Sequence, residues 1–305
     1  MAHLVHQSTK KANTLAARVV VGRSRACHLR LLARRVSGEH ATITWNGTGW
    51  AVRDLGSRNG TFVDARQLGV GEVAPLAAGG QVAFGDPEDV WVLGDAGAPV
   101  AQAVPLPSGR PREAVGSLLT LPSDENPRVA VFPDEEGGWI AEDDMRQFAV
   151  ADQQEIRVDD QVYRLYLPSV LPDTLALPTQ AAAPGLARLQ LRLEISRDQE
   201  SVRMAYDVGR GWTELEPRAH HHLVAVLARL RLNDKEPVAA ERGWVHIEEL
   251  ATLAALDPRT INVYISRARR ELAGEGLDGA AGLIERRPGT GTLRVGVARI
   301  TLVDL

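Results

Sequence analysis

The sequence predicts a multidomain chain: an all-β sandwich over residues 1–98, a small β-rich unit over 112–170, and an α+β unit over 186–305. Three observations predict it. Turn residues cut the first third into short stretches of alternating apolar residues. Beyond residue 217 the apolar period becomes helical, and two segments rich in Pro, Gly and Ala, 99–111 and 171–185, read as linkers. A length of 305 residues is about twice that of a typical domain, which suits two or three separate cores.

In the first unit the expected strands are Val19 to Val21, Ala41 to Trp45, Trp50 to Arg53, Thr61 to Val63, Gln81 to Phe84 and Val90 to Leu93. Such short strands at close spacing suggest a sandwich. In the middle unit Arg128 to Phe132 and Trp139 to Ala141 flank a polar turn containing Gly137 and Gly138; packing or spacing is its default role. The last unit opens with strands at Leu189 to Ile195 and Val202 to Tyr206. A helix over Pro217 to Leu232 follows, with Pro217 in its first turn, then helices at Ile247 to Leu253 and Pro258 to Leu272 and a hairpin over Leu283 to Val297.

Composition narrows the function classes. Apolar residues make up 44% and charged residues 24%, values ordinary for folded globular material. A net charge of −4 argues against coating of nucleic acid or membrane by the whole surface but leaves room for local basic patches. The single cysteine, Cys27, can form neither an internal disulfide nor a thiolate metal site, and a cytoplasmic, reducing location fits it. The first residues are polar where a secretory signal needs an apolar stretch, and runs such as Leu223 to Ala228 fall far short of the roughly 20 residues that cross a bilayer.

Three loop motifs lie between the first unit's strands: Gly22-Arg23-Ser24, Ser37-Gly38-Glu39-His40 and Gly56-Ser57-Arg58-Asn59-Gly60-Thr61. A phosphate dianion needs a fixed guanidinium, hydroxyl donors and amides, because charge-assisted bonds to it are about twice as strong as neutral ones. Arg23, Ser37, Arg58 and Asn59 supply that set. Any one motif alone reads as an ordinary turn.

In order and spacing the three resemble the forkhead-associated (FHA) family, a β-sandwich that binds phosphothreonine peptides with loops at one end. The resemblance implies phosphate contacts from Arg23 and Ser37, a hold on the peptide backbone from Asn59, and bracing of the Ser37 loop by His40. It also implies that Gly22 and Gly60 meet backbone demands. Gly38 stands where the family commonly carries Arg or Asn, which removes one contact and leaves Arg58 as the compensating group. The implied partner is a phosphothreonine-containing protein, such as a Ser/Thr kinase or its substrate.

In the last unit Asp257 caps a helix that Pro258 opens, and Ile261, Ile265, Ala268 and Leu272 form its inward stripe. Its outward face is expected to present Arg259, Val263, Ser266 and Arg270, flanked by Asn262 and Arg267, types that reach base edges and phosphates. Arg269 lies closer to the buried edge. From Arg259 to Arg294 there are seven arginines against four acids, a net +3 in an acidic chain. The strands, three helices and closing hairpin resemble the OmpR/PhoB-type winged helix-turn-helix. That resemblance implies a helix in the major groove of double-stranded DNA and a wing contact through Arg286, Arg287, Thr290, Thr292 and Arg294. The usual aromatic near the wing tip is absent from Pro288-Gly289-Thr290-Gly291-Thr292, and so is a receiver domain.

Other residues carry less. Adjacent helix residues point about 100° apart, so His220, His221 and His222 read as surface or helix-start side chains rather than a metal site. The acids Asp134, Glu135, Glu136, Asp143 and Asp144 read as solvated loops. No nucleotide loop, nucleophile elbow or catalytic pair is visible, so no enzyme activity, metal or cofactor is expected. The resulting expectation is a phosphothreonine-dependent transcription regulator, in which partner binding alters presentation of the DNA-binding end. A phosphopeptide-binding scaffold in a Ser/Thr kinase pathway, without DNA binding, is the rival.

Overall fold

The computed structural model describes residues 2–107, 109–134, 136–168, 186–198 and 201–305. The linker expected over 171–185, and Glu135, lie outside the described residues. Contacts divide the chain into two compact units, Met1–Gln102 with Leu165–Ser169 and Ala103–Arg164 with Val170–Leu305.

The first unit is built on two sheets. One runs in the order Ala12–Thr14, His3–His6, Val90–Asp95, Gln81–Phe84, Thr61–Val63, Arg66–Gln67. The other runs Leu29–Arg30, Arg18–Gly22, Ala41–Trp45, Trp50–Asp54, Val73–Leu76. Alternation decides which side chains turn inward: along Trp50–Asp54 residues 50, 52 and 54 are buried while Arg53 is exposed. Leu4, Val21, Ile43, Val52, Val82, Phe84 and Leu93 fill the core. Burying each such side chain stabilises the sandwich by about 1.5–3 kcal/mol.

The stretch 99–111, expected as a linker, supplies a strand, Gln102–Leu106. Pro99, Pro105, Pro107, Gly109 and Pro111 mask that strand in the sequence. It pairs with a hairpin, Glu155–Val158 and Gln161–Tyr166, that closes some 50 residues later, and Arg112–Glu113 completes a four-stranded sheet.

In the second unit Leu119–Pro122, Pro127–Pro133, Trp139–Glu142 and Gln147–Val150 form an antiparallel meander. The C-terminal part pairs Gln190–Ile195 with Val202–Asp207 and, in parallel, with Arg299–Asp304. Helices α1 (His220–Asn233), α2 (Ile247–Ala254) and α3 (Pro258–Gly274) follow, and Ile284–Arg287 and Thr292–Val295 form the closing hairpin. Helix α1 begins at His220, so Pro217 precedes the helix rather than sitting in its first turn. Asp257 caps α3 by accepting the amides of Arg259 and Thr260 at 2.9 and 3.0 Å.

The core of this unit joins Leu191, Leu223, Leu227, Leu250, Ile261, Ile265, Leu272 and Leu293. Leu118 belongs to the same core, and Val115, Ala130 and Phe132 of the preceding β-rich segment pack against it. The meander therefore shares a core with the helices that follow it.

Candidate functional site

The three loops of the first unit meet at one end of the sandwich. The Arg23 amide donates to the Ser37 carbonyl at 2.8 Å and the Ser24 amide to the Gly38 carbonyl at 2.9 Å, so the first two loops run side by side. The third is tied to the second through Ser37, whose hydroxyl oxygen accepts the Arg58 amide at 3.1 Å and so keeps its own O–H to donate. The Asn59 side-chain amide donates to the Arg35 carbonyl at 2.8 Å. Arg23, Arg58 and Asn59 are exposed, and among the described residues no ion pair engages Arg23 or Arg58. Gly22 permits the close approach of the first two loops: a Cβ there would stand 2.2 Å from the Gly38 carbonyl oxygen.

Two buried groups hold this arrangement. His40, fully buried, accepts the Ser37 amide on Nδ1 at 3.0 Å and donates from Nε2 to the Gly60 carbonyl at 2.9 Å. Burial pushes its imidazole pKa down, against the Gly60 bond and the charge of Asp54. Its neutral form thus joins the second loop to the third. Asp54 accepts the Gly56 and Ser57 amides at 2.8 and 3.0 Å and the Ser57 and Thr61 hydroxyls at 2.6 and 2.7 Å. Burial would raise its carboxyl pKa, but those hydroxyl and amide donors prevail and hold it down.

Sequence reasoning missed Asp54 and Arg35. A lone Asp closing a strand ahead of a Gly-Ser turn is a signal for the first; Arg35 acts through its carbonyl, which no side-chain pattern reports. Cys27 packs beneath the second loop, its thiol donating to the Gly38 carbonyl at 3.1 Å, and burial raises its pKa. The thiol is a packing group there.

Helix α3 departs from the expected pattern. Ile261, Ile265, Ala268 and Leu272 are buried as expected, and Arg259 and Arg267 are exposed. Ser266, expected to face outward, is only 7% exposed, because Pro127–Pro133 packs along that side of the helix. The half-buried Arg270 pairs with Asp124. Arg286 pairs with Glu142 at 3.2 Å and donates to Asn262 at 2.6 Å. Arg269 meets the same Glu142 carboxylate at 2.6 Å, both side chains 3% exposed. Arg287 and Arg294 stack on the ring of Trp244, with carboxylate partners in Glu241 and Glu285. Thr290 and Thr292 share a hydroxyl bond of 2.7 Å near the hairpin tip, and Val263 is half-buried. Periodicity places these side chains on a helix face but cannot show that a segment more than 100 residues earlier covers part of it.

The histidines at the start of α1 also differ from expectation. His220 and His221 are buried, and both Nε2 atoms reach one oxygen of Glu271, at 2.8 and 2.7 Å. Their Cβ directions diverge, but two ring lengths suffice to converge on an acceptor carried by α3. His221 Nδ1 accepts the Arg218 amide at 3.4 Å, which leaves the proton on Nε2 for Glu271. That tautomer suits a hydrogen bond rather than metal ligation through Nε2. Burial would raise the Glu271 carboxyl pKa, but the hydrogen bonds of His220 and His221 outweigh it and hold it at about 2. Asp134 and Asp143 close their own turns by accepting backbone amides.

Residues 19–85 match the family model of the FHA domain. Solved structures similar to this chain include one examined for phosphothreonine-dependent FHA domain interactions, 23% identical, covering 30% of this chain and 93% of that one with a TM-score of 0.27. The FHA domain of the CT664 protein from Chlamydia trachomatis is 24% identical, covering 31% and 96% with a TM-score of 0.27. EmbR of Mycobacterium tuberculosis, in complex with a low-affinity phosphopeptide, is 24% identical, covering 32% of this chain and 25% of that one with a TM-score of 0.29. No curated protein matches the chain. The first unit thus carries an FHA domain.

Proposed function

We propose that the chain is a phosphothreonine-dependent signalling protein and transcription regulator, capturing a phosphorylated partner with its FHA domain and DNA with a C-terminal winged helix-turn-helix. The observation that carries the first part is the convergence of Arg23, Ser37, Arg58 and Asn59 on one loop cluster, its cations unpaired among the described residues. A phosphate seated there would take the Ser37 O–H and the Arg23 guanidinium, while Asn59 holds the peptide backbone. The partner is a phosphothreonine protein of a Ser/Thr kinase pathway, met in the cytoplasm. The chain acts by binding and is assigned no reaction.

Calorimetric titration of the full chain with matched phosphothreonine, phosphoserine and unphosphorylated peptide pools tests this. Binding of the phosphothreonine pool alone is expected. Arg23→Ala removes charge-assisted bonds worth about 1.5–3 kcal/mol each and should weaken it by an order of magnitude or more. Unchanged affinity would refute the assignment.

The DNA part is supported by the capped helix α3, its exposed Arg259 and Arg267, and the hairpin that follows. Retention of genomic fragments in a gel shift at low salt is its test, since phosphate contacts are strongest there. A second reading, a phosphopeptide-binding scaffold without DNA binding, is favoured by the acids Asp124 and Glu142, which already occupy Arg269, Arg270 and Arg286. Both ligands titrated on one sample separate the two.

A further inference from the structure

We propose that the meander Leu119–Val150 is a self-inhibitory cover over the DNA-reading face, lying between helix α3 and the closing hairpin where a duplex would pass. The inference rests on the DNA-binding reading above and adds a regulatory state to it. In the covered state Arg270 and Arg286, two of the side chains that reading needs, are held by the meander's acids. In the open state they are released.

Four contacts define the cover, and they fall on both elements of the expected interface. On α3, Asp124 holds Arg270, and Glu142 holds the buried Arg269. On the hairpin, Glu142 reaches Arg286 at 3.2 Å, and the Met145 carbonyl accepts the amide of Gly289 at the tip, at 3.1 Å. Carboxylates thus stand against guanidinium groups that phosphate oxygens would otherwise engage, and a strand lies along Ser266, where base edges would be read. A charge swap of this kind lets a polyanion compete for the same cations.

The seam is also built to part. A cleft of about 270 Å³ runs along it, lined by polar groups such as Asp143, Asn262 and Arg286 together with apolar Leu118, Val129 and Ile265. Ala130 and Phe132 pack against the helical core on one side of the seam, so opening exposes them, while the polar contacts on the other side are the kind that part within a chain. If the covered form outweighs the open one about ten-fold, the apparent dissociation constant for DNA rises by the same factor.

The test measures anisotropy of a labelled random-sequence duplex at low salt, using the full chain. Glu142→Gln keeps an oxygen for Arg269 but removes the charge that holds two guanidinium groups, and it should bind DNA at least about ten-fold tighter than the unaltered chain. A Cβ built on Gly274 lies 3.8 Å from Val115 Cγ1, so Val115→Cys with Gly274→Cys can tether the segment just before the meander to the end of α3. In the Glu142→Gln background the oxidised tether should return binding to the original weak level, and reductant should restore the gain. Adding Arg267→Ala to Glu142→Gln should abolish the gain.

If the unaltered chain and Glu142→Gln bind equally while Arg267→Ala weakens both, the cover is overturned and the DNA reading stands. If no form binds, although hydrogen exchange shows the seam opened by Glu142→Gln and the amides of 223–228 still protected, the DNA reading falls and the cover with it. Should Glu142→Gln not fold, Asp124→Asn, which releases Arg270 together with Arg112, takes its place under the same criteria.

Discussion

The guanidinium groups of Arg23 and Arg58 stand in solvent with no ion pair among the described residues, whereas those of Arg269, Arg270 and Arg286 are held by Glu142 and Asp124. Both groups of arginines belong to the proposed binding sites, yet among the described residues only the first is free of carboxylate partners. Residue type and spacing announce a capacity to bind. Whether the capacity is available depends on what the rest of the chain places against it.

Removing one acid should expose that contrast most strongly. Glu142→Ala leaves the buried Arg269 and the half-buried Arg286 without their carboxylate and should cost about 3–5 kcal/mol, read as lost hydrogen-exchange protection over residues 261–273. Arg23→Ala, by contrast, should leave stability within about 0.5 kcal/mol while phosphopeptide affinity falls. Similar stability losses from the two would break the comparison.

Gly22→Ala should fall between these. Its Cβ meets the Gly38 backbone oxygen at 2.2 Å, so the first two loops must separate, at a cost of about 1–3 kcal/mol, and phosphopeptide binding should weaken with them. Wild-type affinity together with an unchanged melting temperature would show that the loops tolerate the shift.

Acid sharpens the comparison further. The depressed pKa of His40 means that the unfolded chain takes up its proton first, so its contribution is complete above pH 6.5 and is lost as pH falls below that value. Glu271 works lower: its contribution is complete above pH 4.5 and is lost as pH falls toward about 2. Segment-resolved hydrogen exchange across pH 7 to 3 should therefore show amides 36–61 loosening before those of 220–228 and 265–273. The reverse order would count against the His40 brace. The smallest effect is expected from Asp257→Ala, about 1 kcal/mol confined to the first turn of α3, visible as faster exchange of the Arg259 and Thr260 amides.

Much of the architecture was legible in the sequence because it rests on local rules. Alternation located the strands Ala41–Trp45 and Gln81–Phe84, and Trp50 to Arg53 within the observed Trp50–Asp54, and Asp257-Pro258 marked the start of α3. Short strands such as Arg66–Gln67 and Leu29–Arg30 have too few residues to show a period. They exist because a neighbouring strand offers hydrogen bonds.

The sequence by itself determined which loops carry a guanidinium, a hydroxyl and a carboxamide, and which stripe of α3 is apolar, since both follow from neighbours within a few residues. Only the tertiary structure decided that Asp54 and His40 fasten the loops, that His220 and His221 share Glu271, and that Glu142 reaches Arg269 across 127 positions of chain. The reason is physical: a buried charge or hydrogen bond is tolerated only where a partner meets it. That partner is chosen by how distant strands and helices pack, not by spacing along the chain.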